Sequence, residues 1–137
     1  MGLERHPDEK RVETDIAVEI ELSAEAGRAE LPNVRGKLLR NGHEIGECFV
    51  HSAGEISSAP KAQTACSLDH FVLDEDERGK GLGRHLLQET LKEAWRLGYV
   101  RAGLETNARY YDRHLLYSSV GFRVMDNCYK FRKRFNA

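Results

Sequence analysis

The chain has 137 residues, of which 40% are hydrophobic and 31% are charged, and its formal net charge at pH 7 is −1. This composition is typical of one ordinary globular domain and excludes an intrinsically disordered chain. The near-zero net charge excludes a global basic field, so we expect neither a nucleic acid nor a membrane as a partner. A small-molecule ligand or a local surface site is the better expectation.

The three cysteines, Cys48, Cys66 and Cys128, are spaced neither as a disulfide framework nor as a zinc site. Each is therefore predicted to be a small buried residue in a reducing compartment, and no metal is expected. The first ten residues are polar, without the apolar region of a signal peptide, and no apolar run is long enough to span a bilayer. The cytoplasm is the expected location.

The N-terminal part of the chain predicts a leader followed by one strand. Residues 1–11 are charged and read as a flexible leader, which leaves residues 12–137 as a single domain. Residues 16–22 alternate strictly between apolar and polar side chains, the pattern of a strand with one buried face. Ser23 is a suitable N-cap for one or two helical turns before Pro32.

A hairpin is predicted next, with residues 34–40 and 44–51 as its arms. The dipeptide Asn41-Gly42 between the arms suits a type I′ turn. Residues 52–63 are poor in large apolar side chains and are predicted to form a loop, and residues 64–73 read as a further strand.

The remaining chain alternates helices and strands. The clearest helix covers residues 81–97, because apolar side chains recur there at helical spacing and Gly98 offers a C-terminal stop. Its predicted apolar face comprises Leu82, Leu86, Leu87, Leu91, Ala94 and Trp95. A strand over 99–106, a helix from about 109 to 120 and two short strands over 122–125 and 128–131 follow. This order predicts an α/β domain with a mixed sheet.

The turn between the strand and the clearest helix reads Arg78-Gly79-Lys80-Gly81-Leu82-Gly83. Glycines allow backbone amides to approach an anion, and the start of a helix favours phosphate through its unpaired N–H groups and its dipole. Arg78, Lys80 and Arg84 add positive charge. The stretch lacks the Ser or Thr of a P-loop and the spacing of a Rossmann turn, and it precedes a helix, unlike a kinase glycine loop. The alternative is a glycine-rich turn that binds nothing.

Two motifs together resemble the signatures of the GNAT acetyltransferase superfamily. Arg78, Gly81 and Gly83 match its acetyl-CoA-binding pattern, and the segment from Leu116-Tyr117 to Gly121-Phe122 matches its second, C-terminal signature. The resemblance covers about residues 64–131. It implies a mixed, mostly antiparallel sheet of six to seven strands flanked by helices, with a shortened N-terminal helical insertion.

The resemblance also implies roles for particular residues. The backbone of Phe71, Val72 and Leu73 would pair with the pantetheine arm of acetyl-CoA, and a backbone N–H there would support the oxyanion. The amides of residues 79–84 would hold the pyrophosphate. Tyr117 occupies the general-acid position and would protonate the departing thiolate, although a tyrosine that simply packs under the sheet is the alternative.

The general base is left open among Asp69, His70 and Glu47, with a water relay as a further alternative. Asp69 and His70 are expected to interrupt a buried strand and to point to opposite faces. Tyr110 stands where the family usually has an asparagine that contacts pantetheine, and Asn107 is the candidate to replace that contact.

Two charged segments are interpreted as solvated. The acidic run 74–77 is expected to face solvent, because it would repel a nearby pyrophosphate. Lys130 and the basic run 132–134 are interpreted as a solvated edge strand, with contact to the 3′-phosphate of CoA or to an acidic partner as the alternative.

The function that the resemblance implies is transfer of an acetyl group from acetyl-CoA to a primary amine of a small molecule or peptide, by direct attack in a ternary complex. One alternative is a non-catalytic acetyl-CoA-binding module that regulates a protein partner, and another is a structural domain without CoA. Only residues 23–33 separate the first two strands, so the acceptor site is expected to be open or to be completed by a second subunit in a homodimer.

Overall fold

A computed structural model describes residues 15–24, 29–105, 116–124 and 130–135 of the chain. Within these residues, seven strands form one sheet in the order β1-β2-β3-β4-β5-β7-β6. The strands are β1 (Ile16–Ser23), β2 (Asn33–Arg40), β3 (His43–Ser52), β4 (Ala65–Leu73), β5 (Arg101–Glu105), β6 (Arg123–Val124) and β7 (Lys130–Arg134). The long helix is α1 (Leu82–Leu97), and residues 116–119 are also helical. The predicted mixed, mostly antiparallel sheet with flanking helices is confirmed.

The first four strands pair in sequence order, each antiparallel to the next. The turn between β2 and β3 has positive φ at both central residues, 52° at Asn41 and 83° at Gly42. Left-handed backbone at both positions is the requirement of a type I′ turn, and Asn and Gly are the residues that adopt it most readily. The predicted hairpin and its turn are therefore confirmed.

Helix α1 connects β4 to the parallel strand β5 and packs on one face of the sheet. Leu86, Leu87 and Ala94 are fully buried on this side, where Val34 and Val50 of the sheet are also fully buried. Burial of each large aliphatic side chain contributes about 1.5–3 kcal/mol, so this face supplies much of the core. Gly98 ends the helix with a φ of 121°, as predicted.

Two residues predicted to lie on buried faces are exposed instead. Trp95 is 45% exposed because it lies at the rim of the α1 interface, where Lys92 and Phe135 line the same shallow groove. Leu22 is 49% exposed. It keeps the alternation of β1, but this strand lies at the edge of the sheet and the core extends only as far as Ile20 in it.

The connection between β1 and β2 also differs from its prediction. Ser23 is the last residue of β1 and pairs with Asn33, so it does not begin a helix. Residues 24 and 29–31 are not helical, and residues 25–28 lie outside the described residues. Tyr99 is fully buried, and its hydroxyl donates to the carbonyl of Pro32 over 2.7 Å, which holds this connection against the start of β5.

The prediction of an edge strand for Lys130 and residues 132–134 is wrong, because β7 is an internal strand of the sheet. It pairs with β5 on one side and β6 on the other, so its backbone is internal to the sheet. The reason is the long-range pairing of the two last strands, which a local pattern does not reveal. Arg132 and Arg134 are nevertheless exposed, as expected.

Cys48 and Cys66 are buried free thiols, as predicted, and burial raises the pKa of each to about 12. Cys128 lies outside the described residues. None of the described helices combines the length and the apolar character that crossing a membrane requires.

Candidate functional site

The glycine-rich turn before α1 presents its backbone to open space. Gly79 and Gly81 both have a φ of 80°, a left-handed conformation that residues with a Cβ rarely adopt. A Cβ built on either glycine would meet no atom of the described residues within 4 Å. The glycines are therefore required by backbone conformation rather than by crowding, and the surface above the turn is accessible.

The start of α1 adds an electrostatic preference to this accessible backbone. Gly81 is the N-cap, and glycine has no side chain that could accept a hydrogen bond from the first turn of the helix. The first N–H groups of a helix have no acceptor within it, and they lie at the positive end of the helix dipole. An anionic group at this turn would satisfy both.

The cations predicted around the turn are exposed, but one of them has an acidic partner. Arg78, Lys80 and Arg84 are all exposed. Lys80 Nζ lies 3.2 Å from Glu77 Oε1, so this ammonium is shared between the turn and a carboxylate. Arg78 and Arg84 form no ion pair with another described residue, so their guanidinium groups are the more available positive charges.

Glu77 corrects the prediction that the whole acidic run faces solvent. Asp74, Glu75 and Asp76 are exposed, but Glu77 is buried and accepts two hydrogen bonds from Arg40, at 3.0 Å from Nε and 2.9 Å from Nη2. These bonds lower the pKa of the Glu77 carboxyl. This bidentate ion pair connects the residue before the glycine turn to the end of β2. It also neutralises the carboxylate of Glu77, the acidic residue that directly precedes the turn in the chain.

Strands β4 and β5 pair at the start of β4 and then separate toward the end of β4 that leads into the glycine turn. They are parallel partners only from Ala65 with Arg101 to Ser67 with Gly103. Strand β4 continues to Leu73, and its residues 71–73 pair with β3 on the other side. No described strand pairs with the β5-facing edge of residues 68–73, so a gap opens in the sheet beside the glycine turn. We call this opening the β4–β5 gap.

A β-bulge in β4 lies at the closed end of this gap. Phe49 of β3 pairs with His70, and the next residue, Val50, pairs with Leu68, so Asp69 is the extra residue. It follows Ser67, the last residue paired with β5, by two positions. The bulge therefore interrupts the ladder where the two parallel strands part.

The bulge corrects the predicted directions of Asp69 and His70. Ser67 Oγ donates to Asp69 Oδ1 over 2.9 Å, which places Asp69 on the side of Ser67. His70 is the cross-strand partner of Phe49, and direct partners share a face. One extra residue breaks the strict alternation, so both side chains lie on the face of the sheet opposite α1. Both are exposed, not buried.

Tyr117 lies at the opposite side of the β4–β5 gap, on the α1 face. Its side chain is buried, with only 4% of the residue exposed, and its ring centroid lies 6.3 Å from that of Phe71 and 6.0 Å from that of Phe122. Phe71 in turn approaches the glycine turn: a Cβ on Gly83 would lie 3.3 Å from its Cζ. The structure thus brings Tyr117, Phe71 and the turn together.

Glu47, the third candidate base, is already engaged. Its carboxylate forms an ion pair with Arg35, whose guanidinium also lies 4.7 Å above the centre of the Phe49 ring. Val72 is its cross-strand partner, so Glu47 shares the face of Asp69 and His70. The ion pair leaves this carboxylate less available to accept a proton from a substrate.

Two residues on this face were not singled out from the sequence. His51 Nε2 lies 2.7 Å from Glu55 Oε1, and His51 Nδ1 lies 3.9 Å from Asp69 Oδ2. Glu55 belongs to the short 3-10 helix Ala53–Glu55, and its side chain is only 4% exposed. Its i, i+4 spacing from His51 was the available signal, but the predicted loop over 52–63 gave no reason to expect a buried carboxylate.

Asn107 and Tyr110, the two residues considered for a side-chain contact to pantetheine, lie outside the described residues. Within the part of the chain that is described, no group of three or more His, Cys, Asp or Glu side chains is arranged to hold a metal ion.

Comparison with known families matches this geometry. The family described as acetyltransferase (GNAT) domain matches residues 38–124, which include the β4–β5 gap, the glycine turn and Tyr117. The chain belongs to the GNAT acetyltransferase family. It is therefore an acyltransferase, and the resemblance seen in the two sequence motifs is confirmed. A search of curated proteins finds no match.

Solved structures of GNAT acetyltransferases share the fold at low sequence identity. An acetyltransferase of the GNAT family from Streptococcus pneumoniae is 19% identical, with a TM-score of 0.65 over 75% of this chain and 67% of that one. An IAA acetyltransferase from Bacillus cereus is 16% identical, with a TM-score of 0.64 over 87% and 100% of the two chains. The protein yncA from Salmonella typhimurium, solved with its cofactor acetyl-CoA, is 18% identical, with a TM-score of 0.63 over 77% and 65%.

Proposed function

We propose that this GNAT acetyltransferase transfers an acetyl group from acetyl-CoA to a primary amine of a small molecule or peptide, by direct attack in a ternary complex. The observation that carries the proposal is the β4–β5 gap, which opens directly beside an accessible glycine turn at the start of a helix. A ligand with an anionic head and an extended amide-bearing arm fits both features. Acetyl-CoA has this chemistry, and the similar protein yncA was solved with it.

The pyrophosphate of acetyl-CoA would bind the amides of residues 79–84. Gly79, Lys80, Gly81, Gly83 and Arg84 are the residues we assign to this contact, with Arg78 as a further cation. Because the backbone is accessible at the left-handed glycines, the phosphate oxygens could reach the N–H groups without displacing a side chain. The Glu77–Arg40 pair supports this, since it compensates the carboxylate that would otherwise repel the phosphates most strongly.

The pantetheine arm would enter the β4–β5 gap and pair with the backbone of Phe71, Val72 and Leu73. One edge of this segment already pairs with β3, which leaves the other edge for an added strand. The bulge at Asp69 then lies near the inner end of the arm, where the thioester would be. A backbone N–H at this end of the segment is our assignment for the oxyanion donor.

The chemical step needs a neutral amine, which attacks the carbonyl carbon of the thioester. A C–N bond forms, the tetrahedral intermediate collapses with cleavage of the C–S bond, and the thiolate takes a proton. We assign this last proton to Tyr117, whose ring contacts Phe71 beside the proposed arm. A purely structural tyrosine is the competing interpretation, and substitution by phenylalanine separates the two.

The test is release of free CoA from acetyl-CoA in the presence of a panel of primary amines, with calorimetric titration of acetyl-CoA as the binding assay. We expect acetyl-CoA to bind and at least one amine to be acetylated, with the product identified by mass spectrometry. Acetyl-CoA binding without turnover on any amine would favour the non-catalytic module, and no binding at millimolar acetyl-CoA would refute both. If Tyr117→Phe leaves turnover unchanged across pH, the general-acid assignment fails.

A further inference from the structure

A second group of side chains lies at the closed end of the β4–β5 gap, on the face opposite α1. It comprises His51, Glu55, Asn33, Ser67 and Asp69, and we call it the His51 cluster. His51 is the cross-strand partner of Ser67, which is the last residue of β4 paired with β5. The cluster therefore lies where the thioester would lie if acetyl-CoA occupies the gap.

Glu55 lies against the imidazole of His51 and is itself held in place by buried contacts. The Glu55 carboxylate accepts a hydrogen bond from Asn33 Nδ2 over 3.1 Å, while Asn33 Oδ1 accepts one from the Ser52 amide over 2.7 Å. Asn33, Ser52 and Glu55 are all buried, so this chain of contacts is shielded from water. The other Glu55 oxygen lies 2.7 Å from His51 Nε2. The carboxylate is thus fixed before any substrate arrives.

The two ring nitrogens of His51 face different carboxylates. Nε2 lies 2.7 Å from Oε1 of the buried Glu55. Nδ1 is the nitrogen nearer to Asp69, 3.9 Å from Oδ2, which is beyond hydrogen-bond distance. In the tautomer with its proton on Nε2, Nδ1 is an acceptor, as is the Asp69 carboxylate.

The space between Nδ1 and Asp69 is suited to a donor with several protons. A nitrogen about 2.9 Å from each of the two acceptors is compatible with their separation, since two such hydrogen bonds span up to about 5.8 Å. Ser67 Oγ donates a hydrogen bond to Asp69 Oδ1, and this contact within β4 orients the whole carboxylate, including Oδ2. His51 is 27% exposed and Asp69 is 45% exposed at the side chain, so a substrate can reach both. A protonated primary amine has the required donors and charge.

We propose that His51 Nδ1 is the base that deprotonates the acceptor amine, that Asp69 binds its ammonium form, and that Glu55 is the positioning residue for His51. This proposal rests on the acetyl transfer proposed above. The ammonium gives one proton to Nδ1 and becomes a neutral amine, which attacks the thioester carbon. His51 is then an imidazolium flanked by Glu55 and Asp69, and it returns its proton to water when the amide leaves. The N–H proton that the attacking nitrogen still loses passes to water, and Tyr117, which has given its proton to the departing thiolate, takes one back from water.

A base must be unprotonated to accept a proton, so the proposal implies a pH dependence of the reaction. Glu55 faces His51 from the 3-10 helix and Asp69 from β4, while His70 and Arg35 lie on the same face beside Phe49. The active form has a neutral His51, so activity on a saturating amine falls at acidic pH. This acidic fall is the signature of the proposed base.

The first test compares His51→Gln with wild type and with His43→Gln. His43 is an exposed histidine at the other end of β3, eight residues away and thus about 27 Å distant along the strand. We expect His51→Gln to lower kcat/KM for the amine by about 10²- to 10⁴-fold and to remove the acidic fall, with an unchanged acetyl-CoA affinity. His43→Gln is expected to behave as wild type.

The second test addresses Glu55 and the competing histidine. Glu55→Gln keeps a hydrogen-bond acceptor but removes the charge, so we expect kcat to decrease while the KM for the amine and the acetyl-CoA Kd stay near wild type, with less loss of kcat than in His51→Gln. His70→Gln tests the histidine that the sequence suggested as a candidate base. We expect this variant to retain the acidic fall. If Glu55→Gln does not fold, the two histidine variants still decide the question, because both side chains are partly or fully exposed.

The outcomes distinguish this proposal from the one on which it rests. A wild-type protein that acetylates no amine refutes the proposed function. A wild-type protein that acetylates amines while His51→Gln retains its rate and its acidic fall refutes the role of His51 alone. An acidic fall that disappears in His70→Gln instead transfers the role to His70.

Discussion

The left-handed glycine at the start of α1 allows a sharp test of the cofactor turn. Gly81 has a φ of 80°, and a Cβ built on it has no atom of the described part of the chain within 4 Å, so alanine there would meet conformational strain without a steric clash. The left-handed region costs an L-residue about 1–2 kcal/mol. The lower entropy of the unfolded alanine chain offsets about 0.4–1 kcal/mol of this. We therefore expect Gly81→Ala to lower the free energy of unfolding by about 1 kcal/mol.

The effect on cofactor binding should exceed this effect on stability. The turn can relieve the strain only by leaving its left-handed conformation, and that movement redirects the amides assigned to the pyrophosphate. Loss of one well-aligned amide contact to a charged group is worth about 1.5–3 kcal/mol, which corresponds to a rise of at least about tenfold in the acetyl-CoA Kd. Gly81→Asn should recover part of the affinity, because asparagine visits the left-handed region more readily.

Gly42 provides the matched control for this experiment. It has a φ of 83° and equally open surroundings, but it lies in the β2–β3 turn. Gly42→Ala should lose the same stability in urea unfolding and keep the wild-type acetyl-CoA Kd in calorimetry. The reasoning is refuted if the two alanine variants bind acetyl-CoA equally well, since backbone geometry at Gly81 would then have no part in holding the phosphates.

Three further predictions concern the surroundings of the site. The pKa of the Glu77 carboxyl is lowered in the folded protein, so its contribution to the free energy of unfolding is present above the ordinary pKa of 4.5 and is lost as the pH falls through the folded-state pKa. Glu77→Gln should therefore be less stable than wild type at pH 7. In urea titrations, this difference in stability should shrink toward pH 3. Cys48 and Cys66, with pKa values of about 12, should resist alkylation at pH 8 until the chain is unfolded, which peptide mapping by mass spectrometry would detect. A Cβ on Gly36 would overlap Thr90 Oγ1, so Gly36→Ala should cost about 1–3 kcal/mol; adding Thr90→Ala should recover part of that loss in thermal unfolding, whereas Thr90→Ser should recover less.

Local patterns predicted the elements whose geometry depends on a few consecutive residues. The Asn41-Gly42 turn, the α1 helix ending at Gly98 and the glycine turn before α1 all form as expected, because each is specified by the φ preference or apolar spacing of its own residues. The mixed sheet followed from their order along the chain, and its six to seven strands from the family resemblance.

The wrong predictions share a dependence on distant residues. Glu77 is buried because Arg40, 37 residues earlier, reaches it with two hydrogen bonds. Asp69 and His70 share a face because the register of β4 against β3 shifts by one residue. Strand β7 is internal because β6 returns to pair beside it. Neither a charge run nor an alternating pattern contains these pairings, so local reasoning could not have found them.

The two halves of the proposed site differ in how far a sequence can predict them. The cofactor half is built from backbone amides, whose accessibility requires glycine at fixed positions, so Gly79 and Gly81 leave a visible signature. The acceptor half is built from side chains that strand register and a buried carboxylate bring together, as His51, Glu55 and Asp69 illustrate. Many residue combinations could hold an amine, so no short motif marks this half. A family whose members share one cofactor and differ in acceptor would be expected to show this division, because selection for a common phosphate contact acts on backbone conformation while acceptor choice acts on side-chain contacts.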